Sequence, residues 1–156
     1  MKPATLGYRP ELDGIRAIAV LAVILFHAGY TSFSGGFVGV DIFFVISGYL
    51  ITNILCADLE QGSFSIGRFY QRRIRRIAPA LLMTILVSIP FACLLMLPDD
   101  LQNFGQSAVA TILFANNVLL LVTSGYFAGE IQFKPLMHSW SLGVEEQYYV
   151  VIPLLL

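Results

Sequence analysis

Hydrophobic and polar positions along the chain form five apolar stretches separated by short polar ones, and each stretch has the length of a helix rather than a strand. The first, Ala17 to Tyr30, is too short by itself to cross a hydrocarbon layer of about 30 Å. Its helix must therefore draw in flanking polar residues, which places Arg16 and His27 at or inside the boundaries of a span near 12–30. Thr31 to Gly39 is rich in Ser, Gly and Phe, and its Gly35-Gly36 pair predicts a tight turn between antiparallel helices. A second span, 40–56, opens with Asp41, a carboxylate suited to the positive end of a helix dipole.

From Ala57 to Ile77 the character changes. Projected at about 100° per residue, Ile66, Phe69, Tyr70, Ile74 and Ile77 fall on one side, and Arg68, Arg72, Arg75 and Arg76 share the other. This predicts a basic interfacial helix over 66–77, lying on a membrane surface. Arg73 alone projects near the apolar edge, where it must snorkel or find a partner. A third span, 78–97, has Pro79 near its first turn, Pro90 inside it, and Pro98-Asp99-Asp100 ending it. The fourth stretch, 104–123, is interrupted by Gln106, Ser107, Asn116 and Asn117, so it is expected to cross fully, cross partly or fold back. A last span, 142–156, stops inside its apolar run, which reads as a fragment or a truncated product.

The fold class expected is all-α: a polytopic transmembrane helical bundle, incomplete, with four to five spans. Composition agrees, since 57% of the residues are hydrophobic, against roughly 45–50% in an ordinary soluble domain. A formal net charge of −1 gives no field to attract nucleic acid. Where the charges sit is more informative. The arginine-rich segment is expected on the cytoplasmic side, and two crossings before it put the N-terminus, with Lys2 and Arg9, on that side too. Cys56 and Cys93 lie in apolar runs without zinc-like spacing, so they are read as buried thiols and no metal site is expected. The first sixteen residues lack the pattern of a cleavable signal, so the first span is read as retained.

Several residues have chemistry to offer. Arg16 and His27 are eleven apart, three helical turns or roughly 16 Å along one face. Asp13 lies on the adjacent strip and could pair with Arg16. Ionisable groups inside a membrane are functional candidates by default, and imidazole suits proton transfer from an attacking hydroxyl at neutral pH. The alternative is a structural hydrogen bond for His27 and an interfacial anchor for Arg16. Gly36, Gly39 and Gly48 favour close helix packing, while Asp41 fits helix capping and active-site orientation equally well. The run Arg72, Arg73, Arg75 and Arg76 either meets anionic headgroups or binds the phosphates of an acyl donor. In the last motif Ser141 is a candidate helix cap, and Glu145 and Glu146, beside His138 and Trp140, fit either helix electrostatics or substrate binding.

These residues together resemble the N-terminal half of the acyltransferase 3 family, bacterial membrane enzymes that O-acylate surface polysaccharides. The likeness runs from Tyr8 to the end and rests on five motifs in order: Arg9-Pro-Glu-Leu-Asp-Gly-Ile-Arg16; His27 eleven residues on; Gly39-Val-Asp-Ile-Phe-Phe-Val-Ile-Ser-Gly48; the cluster Arg72 to Arg76 before Pro79; and His138-Ser-Trp-Ser-Leu-Gly-Val-Glu-Glu-Gln147. The resemblance implies that residues 1–156 are part of a membrane acyltransferase domain. It also implies transfer of an acyl group, most often acetyl, from cytoplasmic acyl-CoA to a hydroxyl of a surface or lipid-linked polysaccharide. Acyl-CoA would be a co-substrate, with no bound cofactor. Arg16 and His27 match the family's Arg-x10-His element, and the Arg-x-x-Arg spacing is met twice, by Arg72 with Arg75 and by Arg73 with Arg76. The expected partners are membrane lipids, acyl-CoA and the glycan acceptor, with the protein in the bacterial cytoplasmic membrane. Members carry about ten spans, so this chain matches a part of such a domain. The rival readings are a transporter or flippase, in which the same charges line a path without bond chemistry, and a non-catalytic remnant.

Overall fold

A computed structural model describes residues 9–123 and 136–155. Among the described residues six α-helices follow one another: α1 (Pro10–His27), α2 (Gly39–Glu60), α3 (Ile66–Leu95), α4 (Pro98–Ile112), α5 (Asn116–Thr123) and α6 (Ser139–Leu155). There is no strand among the described residues, in keeping with an all-α class. The chain forms two compact units, one of residues 9–64 with 151–155, the other of the described residues in 65–150.

In the first unit, α1 does recruit polar flanks, starting at Pro10 rather than at the apolar run. It stops at His27, three residues before the expected Tyr30, because Gly29 takes a left-handed φ of 80°. There the Tyr30 amide donates to the Leu25 carbonyl at 3.1 Å and the Gly29 amide to Phe26 at 3.0 Å, a Schellman closure that favours glycine. Gly62, with φ 63°, closes α2 in the same way, carrying that helix one turn past Cys56 to Glu60. Between the helices the expected single tight turn is two 3₁₀ turns, Thr31–Phe33 and Gly36–Val38.

The glycines of this connection serve packing. A Cβ on Gly36 would stand 2.9 Å from the Phe26 Cβ, and one on Gly39 would stand 2.5 Å from the Ala19 carbonyl oxygen and 2.8 Å from Val23 Cγ2. Gly35 has open space around it. Gly39→Ala is accordingly expected to cost about 1–3 kcal/mol through overpacking, whereas Gly35→Ala should change stability by less than about 0.5 kcal/mol. Thermal unfolding of the two variants in detergent checks the contrast.

In the second unit α3 departs from expectation. The basic segment 66–77 and the apolar segment from Ala78 are one continuous helix of 30 residues with Pro79 and Pro90 inside it. Local preference places Pro79 in a first turn, where proline is favoured. Arginine and leucine are good helix formers on both sides of it, and a proline flanked that way bends a helix more readily than it stops one. The helix is ~45 Å long. Its apolar half carries exposed Met83, Leu86, Val87, Phe91, Leu94 and Leu95. The hydroxyls of that half, Thr84 and Ser88, donate to the carbonyls of Ala80 and Thr84 at 2.9 and 2.8 Å.

Pro98 does end the third stretch, serving as the first residue of α4. The fourth stretch is not one helix. It breaks between α4 and α5 at Phe114, whose φ is 53°, and polar residues along it belong to the unit's interior. Ser107, Thr111 and Asn116 are buried. Cys93 is exposed and Cys56 half-buried, contrary to the expectation of two buried thiols.

The segments Gly36–Glu60 and Ile66–Leu95 are long and apolar enough to cross a membrane.

Candidate functional site

Two constellations carry chemistry, one in each unit. On α1, His27 is the last helical residue, and its Nδ1 lies 2.8 Å from the Val23 carbonyl oxygen. A carbonyl can only accept, so Nδ1 carries the proton, and in the neutral ring Nε2 is left as the basic nitrogen. The Phe26 ring packs edge-on to the imidazole at 5.1 Å and to Phe37 at 5.7 Å. Arg16, on the same helix, holds its guanidinium carbon 5.9 Å from the centre of the Phe43 ring of α2, within cation–π range. Asp13 is exposed, and among the described residues it makes no ion pair with Arg16; Arg16 turns to the aromatic ring of α2 instead. Asp41 stands exposed in the first turn of α2.

In the second unit Arg73 finds the partner its position on the apolar edge required. Its Nη2 is 3.2 Å from Glu146 Oε1, with each side chain 12% exposed. The guanidinium lies 3.3 Å over the ring of Tyr149, which is itself buried. The Tyr149 hydroxyl donates to Glu145 Oε1, and the Tyr70 hydroxyl donates to the carbonyls of Tyr149 and Val150 at 3.4 and 3.3 Å. The four groups Arg73, Glu146, Tyr149 and Glu145 thus form one stack, with the two acids on successive positions of α6. Arg73 Nε is buried without a hydrogen-bond partner. Arg73 and Glu146 also line an otherwise apolar cavity of ≈ 220 Å³ with Ile77, Leu81, Ile112 and Phe114. The other arginines of the run, Arg72, Arg75 and Arg76, are exposed.

The motif around Trp140 is docked on the break between α4 and α5. α6 starts at Ser139, so Ser141 is inside the helix and donates to the His138 carbonyl at 3.1 Å rather than capping it. Ser139 is the residue at the junction: its hydroxyl meets Thr111 Oγ1 at 2.7 Å, receives the Asn116 amide at 2.8 Å and donates to the Leu136 carbonyl at 2.8 Å. Two turns further, Gln147 and Asn117 exchange amide hydrogen bonds, both 3.0 Å, and Gln147 Nε2 also donates to the Phe114 carbonyl at 3.0 Å. His138 and Trp140 are exposed. Periodicity alone casts Asn116 and Asn117 as interruptions of a span and gives no role to Thr111 or Tyr149. The available signal is that two adjacent amides in an apolar helix need buried partners.

The acyltransferase domain model matches residues 9–156. The chain belongs to the acyltransferase 3 family. It is 38% identical over 150 residues to the O-acetyltransferase OatA of Staphylococcus aureus strain NCTC 8325, covering 96% of this chain and 25% of that protein. The OatA of strain COL matches to the same extent. A relative in strain MSSA476, also named for O-acetyltransferase activity, is 39% identical with the same coverage, 96% and 25%. The chain therefore spans about a quarter of the length of the relatives it matches. No solved structure matches it. The expected family is thereby established for this chain, and all five motifs lie within the matched residues.

Proposed function

We propose that this acyltransferase is an integral membrane enzyme that moves an acyl group, acetyl in the simplest case, from cytoplasmic acyl-CoA to a hydroxyl of a surface or lipid-linked polysaccharide. The observation that carries the reading is the hydrogen bond from His27 Nδ1 to the Val23 carbonyl, because it leaves Nε2 as an oriented base. Nε2 takes the proton of the acceptor hydroxyl as that oxygen attacks the thioester carbonyl. The new C–O bond forms, the C–S bond breaks, and CoA leaves as the thiol with the proton returned from His27. Arg16, three turns back on the same helix, is too far from His27 to meet the reacting carbonyl and is assigned to orienting the donor. The relatives' O-acetyltransferase names support the acyl group chosen.

Membrane integration is supported by two long apolar segments and by the exposed apolar side chains of α3, a patch too continuous for a water-facing surface. The apolar part of α3, Ala78 to Leu95, is ~27 Å long, about the hydrocarbon thickness. In this reading α1, α2, α3 and α6 cross the membrane, α4 and α5 enter it as a broken element, and the N-terminus and the arginine run face the cytoplasm of a bacterial inner membrane.

Arg73 is engaged with Glu146 and Tyr149, and the phosphates of the donor are assigned to the exposed arginines of the run, Arg72, Arg75 and Arg76. Asp41, His138 and Trp140 remain candidates for the acceptor side, and Glu145 and Glu146 support the wall of the site. Arg75→Ala in the full-length protein is expected to raise the KM for acetyl-CoA about ten-fold or more, as loss of a charge-assisted bond to phosphate does, with kcat little changed. Steady-state kinetics with acetyl-CoA varied checks the assignment; a lowered kcat at constant KM would contradict it.

The reading as a whole is tested by mass spectrometry of surface polysaccharide from cells that carry or lack the full-length gene. Acetyl esters that disappear with the gene and return with it support an acyltransferase; unchanged acetylation overturns it.

A further inference from the structure

We propose that Asn117 is a positioning residue of the acyl-transfer site: with the Phe114 carbonyl it grips α6 at two points one turn apart and so sets where Glu146 meets Arg73. The inference rests on the acyltransferase reading for its functional consequence, and on geometry alone for the grip.

The break between α4 and α5 places two polar groups side by side. Phe114 adopts a left-handed φ of 53°, a conformation a bulky L-residue takes only where its surroundings impose it. Its carbonyl oxygen receives Gln147 Nε2 at 3.0 Å. The Asn117 amide faces the same side chain and exchanges two bonds with it, so the Gln147 amide meets a matched donor and acceptor. One helical turn earlier on α6, Gly143 comes up against the same two groups. A Cβ there would lie 2.9 Å from Asn117 Oδ1 and 3.1 Å from the Phe114 carbonyl oxygen. A single contact would leave a helix free to rotate or slide. Two contacts at positions four apart, one a directional amide pair and the other a close approach, fix both rotation and depth.

What that fixes is adjacent. Glu146 precedes Gln147, about 100° round the helix, and reaches Arg73 at 3.2 Å. The Arg73 guanidinium lies on Tyr149. A small turn of α6 would separate these groups and displace the support that Glu146 gives the site, and a misplacement of about 1 Å caused by a change away from the chemistry can lower turnover about a hundred-fold. Asn117 needs to touch neither acyl group nor sugar to have this effect.

The test compares variants of the full-length protein. Asn117→Asp keeps the shape but removes the donor to Gln147 Oε1. Asn117→Gln and Gln147→Asn each misplace the amide pair by one methylene, and the two combined restore its total length. Each single variant is expected to lower kcat at least about ten-fold while the KM for acetyl-CoA stays within about two-fold, and the exchange pair should recover most of the loss. Hydrogen exchange of 139–147 in detergent provides a readout independent of activity: protection should fall in the singles and return in the pair. Wild-type kcat in the singles, or an exchange pair no better than its worse single by both readouts, overturns the proposal. If protection follows the expected pattern while no form transfers acetyl groups, the grip stands and the acyltransferase reading fails. Should Asn117→Asp not reach the membrane, the exchange pair and its singles decide.

Discussion

Full-length protein carrying His27→Ala is expected to reach the membrane at normal levels and to leave surface polysaccharide without O-acetyl esters. Removing a general base typically costs about a hundred- to ten-thousand-fold in rate, enough to erase a cellular product. Alanine also removes the ring's hydrogen bond to Val23, so a second variant separates chemistry from structure. His27→Asn introduces an amide able to replace the Nδ1 donor to the Val23 carbonyl while offering no basic nitrogen in the place of Nε2. Both substitutions should be equally inactive, and the asparagine variant should unfold at nearly the wild-type temperature. Activity retained by His27→Asn would show that His27 serves the helix end rather than the reaction.

The largest effect on stability is expected at the Arg73 and Glu146 pair. Each side chain is 12% exposed, so removing one partner leaves a buried charge without compensation, a loss of about 3–5 kcal/mol. Arg73→Ala and Glu146→Ala should each lower the midpoint of thermal unfolding sharply. Combining Arg73→Met with Glu146→Leu removes both charges and keeps the volume, and it should be markedly more stable than either alanine variant. Equal damage from the double replacement and the singles would mean that packing against Tyr149, rather than charge, dominates at this position. Arg73→Lys adds a further distinction, since an ammonium keeps the charge but loses the planar stacking on the ring at 3.3 Å.

Much of this arrangement is legible in the sequence. The 3.6-residue periodicity puts Arg73 on the apolar edge of its helix and requires a partner for it, and the five ordered motifs point to the family that the domain match establishes. Gly36 and Gly39 read as packing residues, and Cβ positions built on them meet α1. Less is legible where local signals compete. Pro79 marks a helix start by preference and lies mid-helix here, because the residues on either side favour the helix. His27 ends α1 because of Gly29, whose left-handed φ cannot be told from sequence apart from that of any loop glycine. The identity of Glu146 as the partner of Arg73 is beyond local reasoning, since the two are 73 positions apart and nothing in their neighbourhoods couples them. Asn116 and Asn117 weigh against a span by composition, although their amides are what tie α6 to the break between α4 and α5.

The reaction proposed for the full-length protein, in which His27 serves as the base while an acyl group passes from CoA to a sugar hydroxyl, is open to a direct test. The most direct measurement incubates full-length protein in liposomes loaded with extracted surface polysaccharide, with labelled acetyl-CoA supplied outside. Ester-linked label on the polysaccharide is expected with the wild type and none with His27→Asn. Label that crosses the bilayer still attached to CoA, with none on the glycan, would contradict that reaction and favour a transporter.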